Sequence, residues 1–293
     1  MANIGFIGLG NMGGGMAANL AKAGHKVMAF DLSGEALARA GQAGCDPVSD
    51  PVQAVSGVDV IVTMLPAGKH VQAVYQDSVF SAAAPGTLLI DCSTIDVETA
   101  RAVAEAAHER GFVAVDAPVS GGIAAANGGT LTFMVGGSDK GFAGAEPILS
   151  DMGKAVIHAG GNGAGQAAKI CNNMLLGATM AATCEAFNLA EGLGLDLATF
   201  YDISSKASGQ SWSMTSYCPV PGVGPQSPAD NGYQGGFAAA LMLKDMRLAL
   251  DAARASGVEV PMGTRAEALY ADFVEHDPDQ RDFSAIIEAL KKG

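Results

Sequence analysis

Residues 4–22, IGFIGLGNMGGGMAANLAK, decide the fold. Ile4 to Ile7 is a short apolar run, Gly8, Gly10 and Gly13 follow it as Gly-x-Gly-x-x-Gly, and Gly14 to Lys22 reads as a helix. A strand turning through glycine into a helix is the opening of a dinucleotide-binding βαβ unit. Gly8 permits the tight turn, Gly10 lets backbone amides reach a pyrophosphate, and Gly13 permits close packing of helix on strand. In a chain with 39 glycines the spacing alone is weak, and its place between strand and helix gives it weight. Gly8, Gly10, Asn11, Met12 and Gly13 are therefore expected to contact a cofactor.

Asp31 ends the next apolar run, Lys26 to Phe30, eighteen residues after Gly13. A carboxylate at that position accepts from a ribose 2′-hydroxyl and repels a 2′-phosphate, so NAD is expected rather than NADP. The competing role for Asp31 is to cap the helix beginning beside Ser33. Leu65-Pro66 and Ser93-Thr94 end two later strands. Ligands of open α/β sheets collect at carboxyl ends of strands, which makes Leu65, Pro66 and Thr94 further candidates, although such turns also occur without a ligand.

Working outward, apolar runs at Val58 to Met64, Thr87 to Asp91 and Val113 to Asp116 alternate with helical stretches such as Asp96 to Arg110. Continuous apolar strands between helices predict an α/β fold: a Rossmann-type, doubly wound parallel sheet buried on both faces. Leu131 to Val135 and Ala155 to His158 extend it, separated by a helix around Gly141 to Leu149. The β pattern stops at His158, and Ala159 to Gly165 is a glycine-rich junction. Beyond it the chain reads as helices over 166–192, 197–207, 236–256, 260–273 and 283–291. The expected organisation is a cofactor domain over 1–162 and an all-helical domain over 163–293, joined by a long interdomain helix and together completing one active site. The segment 217–235, rich in Pro, Gly and Ser, is longer than an ordinary loop and is expected to be a lid or a surface packed on a partner subunit.

Composition excludes several function classes. The net charge is −13, with 17 basic residues dispersed along 293, so nothing is assembled to neutralise a nucleic acid or an anionic membrane. Met174 to Ala190 is apolar, but Asn172-Asn173 flank it and Glu185 interrupts it, which predicts a buried helix and not a membrane span. Five cysteines without CxxC spacing read as reduced thiols, and the strand begins too early for a targeting segment. A cytoplasmic protein is expected. No metal site is expected, since neither HExxH nor clustered Cys and His occurs. His25, His70, His108, His158 and His276 lack an acidic partner in any motif and are read as structural, His70 with no chemistry assigned.

Two further segments carry chemistry. Asp116-Ala117-Pro118-Val119-Ser120-Gly121-Gly122 follows a strand with a hydroxyl and unhindered amides, a turn that can hold a carboxylate or be only structural. Gly163 to Asn173 opens the long helix, with Lys169 and Asn173 at i and i+4 on one face. A lysine on an otherwise apolar helix is expected to face a pocket.

Together, Gly8 to Gly13, Asp116 to Gly122, Gly163 to Asn173 and Lys244-Asp245 resemble the β-hydroxyacid dehydrogenases across nearly the whole chain. Ser208 to Ser213, Tyr217 to Val223 and Asn231 to Phe237 are similar to the branch that oxidises 3-hydroxyisobutyrate. The resemblance implies NAD-dependent conversion of that acid to methylmalonate semialdehyde in valine breakdown. It implies Lys169 as the catalytic lysine, Asn173 as its hydrogen-bonding partner, Ser120, Gly121 and Gly122 as the carboxylate turn, and Lys244 at the nicotinamide and substrate end. A lysine acting as a base must titrate below its ordinary range, and burial and a second cation such as Lys244 both act that way. Rival readings are another short 3-hydroxyacid such as 3-hydroxypropionate or serine, a phosphorylated sugar acid, or a non-catalytic NAD-binding regulator. A phosphate would want clustered arginines, whereas Arg247, Arg254, Arg265 and Arg281 are scattered. A long apolar helix and a Pro/Gly loop commonly bury surface against a second copy, so a homodimer or homotetramer is expected.

Overall fold

A computed structural model describes residues 1–291. The chain forms two compact units that part between Lys169 and Ile170. The first is built on one sheet of nine strands: β1 Asn3–Ile7, β2 Lys26–Phe30, β3 Asp46–Pro47, β4 Val60–Thr63, β5 Leu88–Asp91, β6 Val113–Asp116, β7 Val119–Ser120, β8 Leu131–Gly136 and β9 Gly153–Gly160. Strands β3-β2-β1-β4-β5-β6 lie side by side and all pair in parallel. The order reverses between β1 and β4, which is the switch point where such sheets bind ligands. Successive side chains feed opposite cores: Ile4, Phe6, Val60 and Val62 pack in one, Ile7 and Ile61 in the other. That double burial explains why the strands read as continuous apolar runs.

The doubly wound sheet is as expected, but its extension is not purely parallel. β8 runs antiparallel to β6, through Asp116 and Gly136, and antiparallel to β7, while β9 is parallel to β8. Only β7 and the short helix Gly122–Gly128 lie between β6 and β8. β7 continues in the direction of β6, and helix Gly122–Gly128 then turns the chain back into β8, which runs antiparallel to both.

The long helix spans Ala164–Gly192, starting two residues before the expected position because its first amides already have a cap in the first unit. Its opening also packs there, since a Cβ on Gly165 would lie 2.3 Å from the Met134 carbonyl. By their contacts, the compact units part inside this helix, after Lys169.

The second unit contains the remainder of that helix with Leu197–Ser204, Trp212–Thr215, Ala239–Ser256, Pro261–His276 and Ile286–Leu290. The helix expected over 283–291 begins as a 3₁₀ turn, Phe283–Ala285. Close helix approach is made possible by small residues: a Cβ on Gly177 would meet Met246 Sδ at 2.7 Å, and one on Gly263 would meet Met174 Sδ at 2.7 Å. The core gathers Met180, Cys184, Phe187, Met242, Tyr270 and Phe273.

The segment 217–235 is held together by its own hydrogen bonds. Ser227 Oγ donates to the Cys218 carbonyl at 2.7 Å, and Asp230 accepts the Gly222 amide at 2.7 Å. At its borders, Asp282 is fully buried and accepts from the Tyr217 hydroxyl at 2.8 Å and the Phe237 amide at 2.7 Å. Burial pushes that carboxyl above its ordinary range. Among the described residues no helix is long and apolar enough to cross a membrane, and the apolar run from Met174 to Ala190 lies within the long helix.

Candidate functional site at the carboxyl edge of the sheet

The turn after β1 separates glycines required by packing from one that is not. A Cβ on Gly8 would lie 2.2 Å from the Met64 carbonyl and one on Gly13 would lie 1.9 Å from the Gly8 carbonyl, so neither tolerates a side chain. A Cβ on Gly10 meets no atom within 4 Å. The helix that follows, Gly13–Lys22, has no side-chain cap at Met12 and no acidic residue in its first turn. Open space beside Gly10 and an uncapped positive helix end fit a dinucleotide pyrophosphate.

Asp31 follows β2 directly. Its Oδ2 accepts from the Leu9 amide at 2.6 Å and its Oδ1 from the Ser33 amide at 2.8 Å. The cap of helix Gly34–Gln42 is Ser33, whose hydroxyl accepts from Ala36, so capping is not the work of Asp31. The Asp31 carboxylate instead braces the glycine turn, and each oxygen keeps a lone pair for a ribose hydroxyl. Leu65 and Pro66 follow β4, and Ser93 and Thr94 follow β5, so all these turns share one edge of the sheet. Ser93 Oγ accepts the Leu65 amide at 2.8 Å and ties two of them together.

The Ser120-Gly121-Gly122 turn is positioned from helix Gly13–Lys22. Helix Gly122–Gly128 lies so close to Gly13–Lys22 that a Cβ on Gly15 would be 2.4 Å from Asn127 Oδ1. Asn19 Nδ2 donates to the Ala126 carbonyl at 2.7 Å. Gly121 and Gly122 have φ of 132° and 68°, backbone that side chains rarely adopt.

Asp116, the last residue of β6, has a role that its sequence context does not reveal. Its two oxygens accept the amides of Gly163 at 2.7 Å and Gln166 at 2.9 Å, which caps the long helix. Burial raises the Asp116 pKa, and the helix amides pull it back down. Gln166 adds a side-chain clamp, its Nε2 donating to the Ser93 carbonyl at 2.7 Å. Three residues further on, Lys169 is 6% exposed, in accord with a lysine withdrawn from solvent.

In the second unit, Asn173 is 2% exposed and its Nδ2 donates to Asp245 Oδ2 at 2.6 Å. Lys244 Nζ lies 3.2 Å from Asp245 Oδ1, an ion contact without hydrogen-bond alignment. Asp245 thus joins two expected site residues, and the dipeptide Lys244-Asp245 was the only sequence signal for it. The exposed Trp212 ring stacks on Tyr217 at 4.9 Å, and Tyr217 on Phe283 at 5.4 Å.

Among the described residues three histidines stand within 4 Å of an acid: His158 Nδ1 is 3.8 Å from Asp139, His276 Nδ1 is 3.6 Å from Asp272, and His25 makes the shortest contact. His25 Nε2 lies 2.8 Å from Asp151, 126 residues away, which no local motif could reveal. It stands before β2, at the opposite end of that strand from Asp31, and serves as a clamp there. Among the described residues no cluster of His, Cys, Asp or Glu could hold a metal ion.

Comparison with known proteins agrees with this geometry. Residues 3–161 match the family described as the NAD binding domain of 6-phosphogluconate dehydrogenase, and residues 163–290 the family described as NAD-binding of NADP-dependent 3-hydroxyisobutyrate dehydrogenase. The chain is 49% identical to 3-hydroxyisobutyrate dehydrogenase of Pseudomonas aeruginosa over 290 residues, 98% of this chain and 97% of the relative. It is 45% identical to the NAD-dependent L-serine dehydrogenase of the same organism over 288 residues, again 98% and 97%. A solved structure of Mycobacterium tuberculosis 3-hydroxyisobutyrate dehydrogenase with L-serine superposes with a TM-score of 0.95 at 46% identity, covering 99% of both chains.

Proposed function

The chain belongs to the 3-hydroxyisobutyrate dehydrogenase family, and from that premise we propose that it oxidises 3-hydroxyisobutyrate to methylmalonate semialdehyde, as in valine breakdown. NAD, when bound, accepts the hydride from the hydroxyl-bearing carbon. The residues of the chain do the rest. Gly8, Gly10, Asn11, Met12 and Gly13 hold the pyrophosphate, Asp31 the adenine-side ribose, and Leu65, Pro66 and Thr94 line the cofactor.

Ser120, Gly121 and Gly122 hold the substrate carboxylate and so fix which carbon is presented. Lys169 takes the hydroxyl proton on its Nζ as the carbonyl forms, and its ammonium returns that proton on reduction. Asn173 orients the lysine or the hydroxyl, itself held by Asp245. Lys244 assists at the nicotinamide and substrate end. The observation that carries the reading is the buried Lys169, on a helix whose first amides are clamped by Asp116. Lys169→Ala should lower kcat by about 10²- to 10⁴-fold while NAD still binds; near-normal turnover would falsify the assignment.

Asp31 supports NAD over NADP, against the NADP named in one family description, because a 2′-phosphate would meet its carboxylate. A second substrate, L-serine, is favoured by one relative's name and by the ligand of the tuberculosis structure. Both acids present a carboxylate and a primary alcohol to the same groups. NADH formation with the two acids in parallel, each with NAD and NADP, ranks them. We further read the protein as a cytoplasmic homodimer or homotetramer. Leu175 and Leu189, 63% and 64% exposed on the same face of the long helix, support the assembly, and light scattering tests it.

A further inference from the structure

Beneath the cofactor-facing turns lies a buried polar cluster that none of these roles uses. Asp91 closes β5 and is 6% exposed, while Thr63 at the end of β4 and Ser93 are fully buried. Three donors converge on one oxygen of Asp91: Thr63 Oγ1 at 2.7 Å, Ser93 Oγ at 2.6 Å and the Ser93 amide at 3.2 Å. Because the Ser93 hydroxyl gives its proton to Asp91, its oxygen is left to accept, and the Leu65 amide donates to it at 2.8 Å. The Ser93 carbonyl accepts from Gln166 Nε2 at 2.7 Å, and Gln166 Oε1 accepts the Ile95 amide at 3.1 Å. A single carboxylate therefore stands behind the turn at Leu65, the turn at Ser93 and the clamp on the helix that carries Lys169.

Such a group is costly to keep. Burial pushes the Asp91 carboxyl from 3.8 up to about 6, against the pull of its three donors. Its folded pKa is the higher one, so its contribution to stability is greatest below 3.8 and declines as pH rises to about 6. Asp116 on β6, the adjacent Cys92 and the fully buried Tyr75 are the other titratable groups around it. Tyr75 enters from the π-turn Tyr75–Val79, its hydroxyl 3.5 Å from Thr63 Oγ1. An apolar side chain would fill the end of β5 without the cost of a buried charge. What an apolar side chain lacks is an acceptor to set the direction of the Ser93 hydroxyl.

We propose that Asp91 is a positioning residue for the cofactor: through Ser93 it directs the hydrogen bond to the Leu65 amide and holds the Leu65–Pro66 and Ser93–Thr94 turns in the shape that NAD meets. The proposal rests on the reading of those turns as cofactor contacts. The amide of an Asn accepts more weakly than the carboxylate, so it holds the Ser93 hydroxyl less firmly and the Leu65 amide loses its fixed acceptor.

The test is calorimetric titration of NAD into the wild-type protein, Asp91→Asn and Ser93→Ala, together with steady-state kinetics and thermal unfolding. Both variants should bind NAD about tenfold more weakly, the loss of one charge-assisted hydrogen bond. For Asp91→Asn, KM for NAD should rise by the same factor, with kcat at saturating NAD, KM for the hydroxyacid and the unfolding midpoint little changed. Unchanged dissociation constants in both variants overturn the proposal. So does a lowered unfolding midpoint with normal NAD affinity, the signature of a merely structural carboxylate. Should Asp91→Asn fail to fold, Thr63→Val removes one donor while keeping its shape, and normal NAD affinity there together with Ser93→Ala is equally decisive. A wild-type protein that binds NAD but turns over no hydroxyacid refutes the substrate assignment and leaves this comparison of affinities intact.

Discussion

The turn Gly8–Gly13 and the turn Ser120–Gly122 both lie at the carboxyl edge of the sheet, both are rich in glycine and both run into a helix, yet their glycines answer to different constraints. In the first, Gly8 and Gly13 are required by contact, their absent Cβ atoms falling 2.2 Å and 1.9 Å from carbonyl oxygens. Gly10 is required by neither contact nor conformation, since its Cβ would meet nothing within 4 Å and its φ lies outside the left-handed region. In the second, Gly121 is crowded by Ala125 at 2.6 Å, and Gly122 sits in open space with φ 68°. A glycine motif thus mixes packing, backbone and ligand demands. Of these glycines Gly10 alone, open and with ordinary backbone, is left for a ligand to explain.

Substitutions that add one carbon test this sorting. The largest effect is expected at Gly13→Ala, where backbone must move to admit the Cβ; overpacking of this kind costs about 3 kcal/mol, read from the denaturation midpoint, and NAD binding falls with it. Full stability in this variant would break the distinction between the glycines. Next is Gly10→Val. Stability should stay within about 0.5 kcal/mol of wild type, as for a substitution away from packed atoms. NAD affinity should drop by about tenfold or more, because the side chain fills the space in which the pyrophosphate approaches. A variant that binds NAD normally would leave Gly10 without a reason.

The same sorting explains what could be read from sequence. β1, β2 and the glycine turn were legible because their signals are local: apolar runs, a fixed spacing, and Asp31 at the next strand's end. Lys169 was legible as a charge misplaced on an apolar helix. Illegible were the groups that act through distant partners. Asp116 caps a helix beginning some fifty residues later, its bond to Gln166 spanning 50 positions. Asp245 meets Asn173 across 72, and His25 meets Asp151 across 126. None of these pairs leaves a periodicity or a motif, since only the folded chain brings them together. The reversal at β8 escaped for a related reason: an apolar run predicts a strand but not its direction, which its pairing with β6 and β7 decides.

The smallest and sharpest test is Gly122→Ala. No atom stands in the way of its Cβ, so packing predicts no effect at all. The left-handed backbone predicts a cost of about 1 kcal/mol for any other residue. That strain is relieved if the turn shifts, and a shifted turn presents its amides badly to a carboxylate. KM for the hydroxyacid should therefore rise by about fivefold, the equivalent of that strain, while NAD affinity is untouched. A rise confined to the hydroxyacid would separate the two turns by ligand as well as by constraint. A parallel loss of NAD affinity would show that helix Gly122–Gly128 transmits the shift to Gly13–Lys22, through the contact of Gly15 with Asn127, and that the two turns are one device.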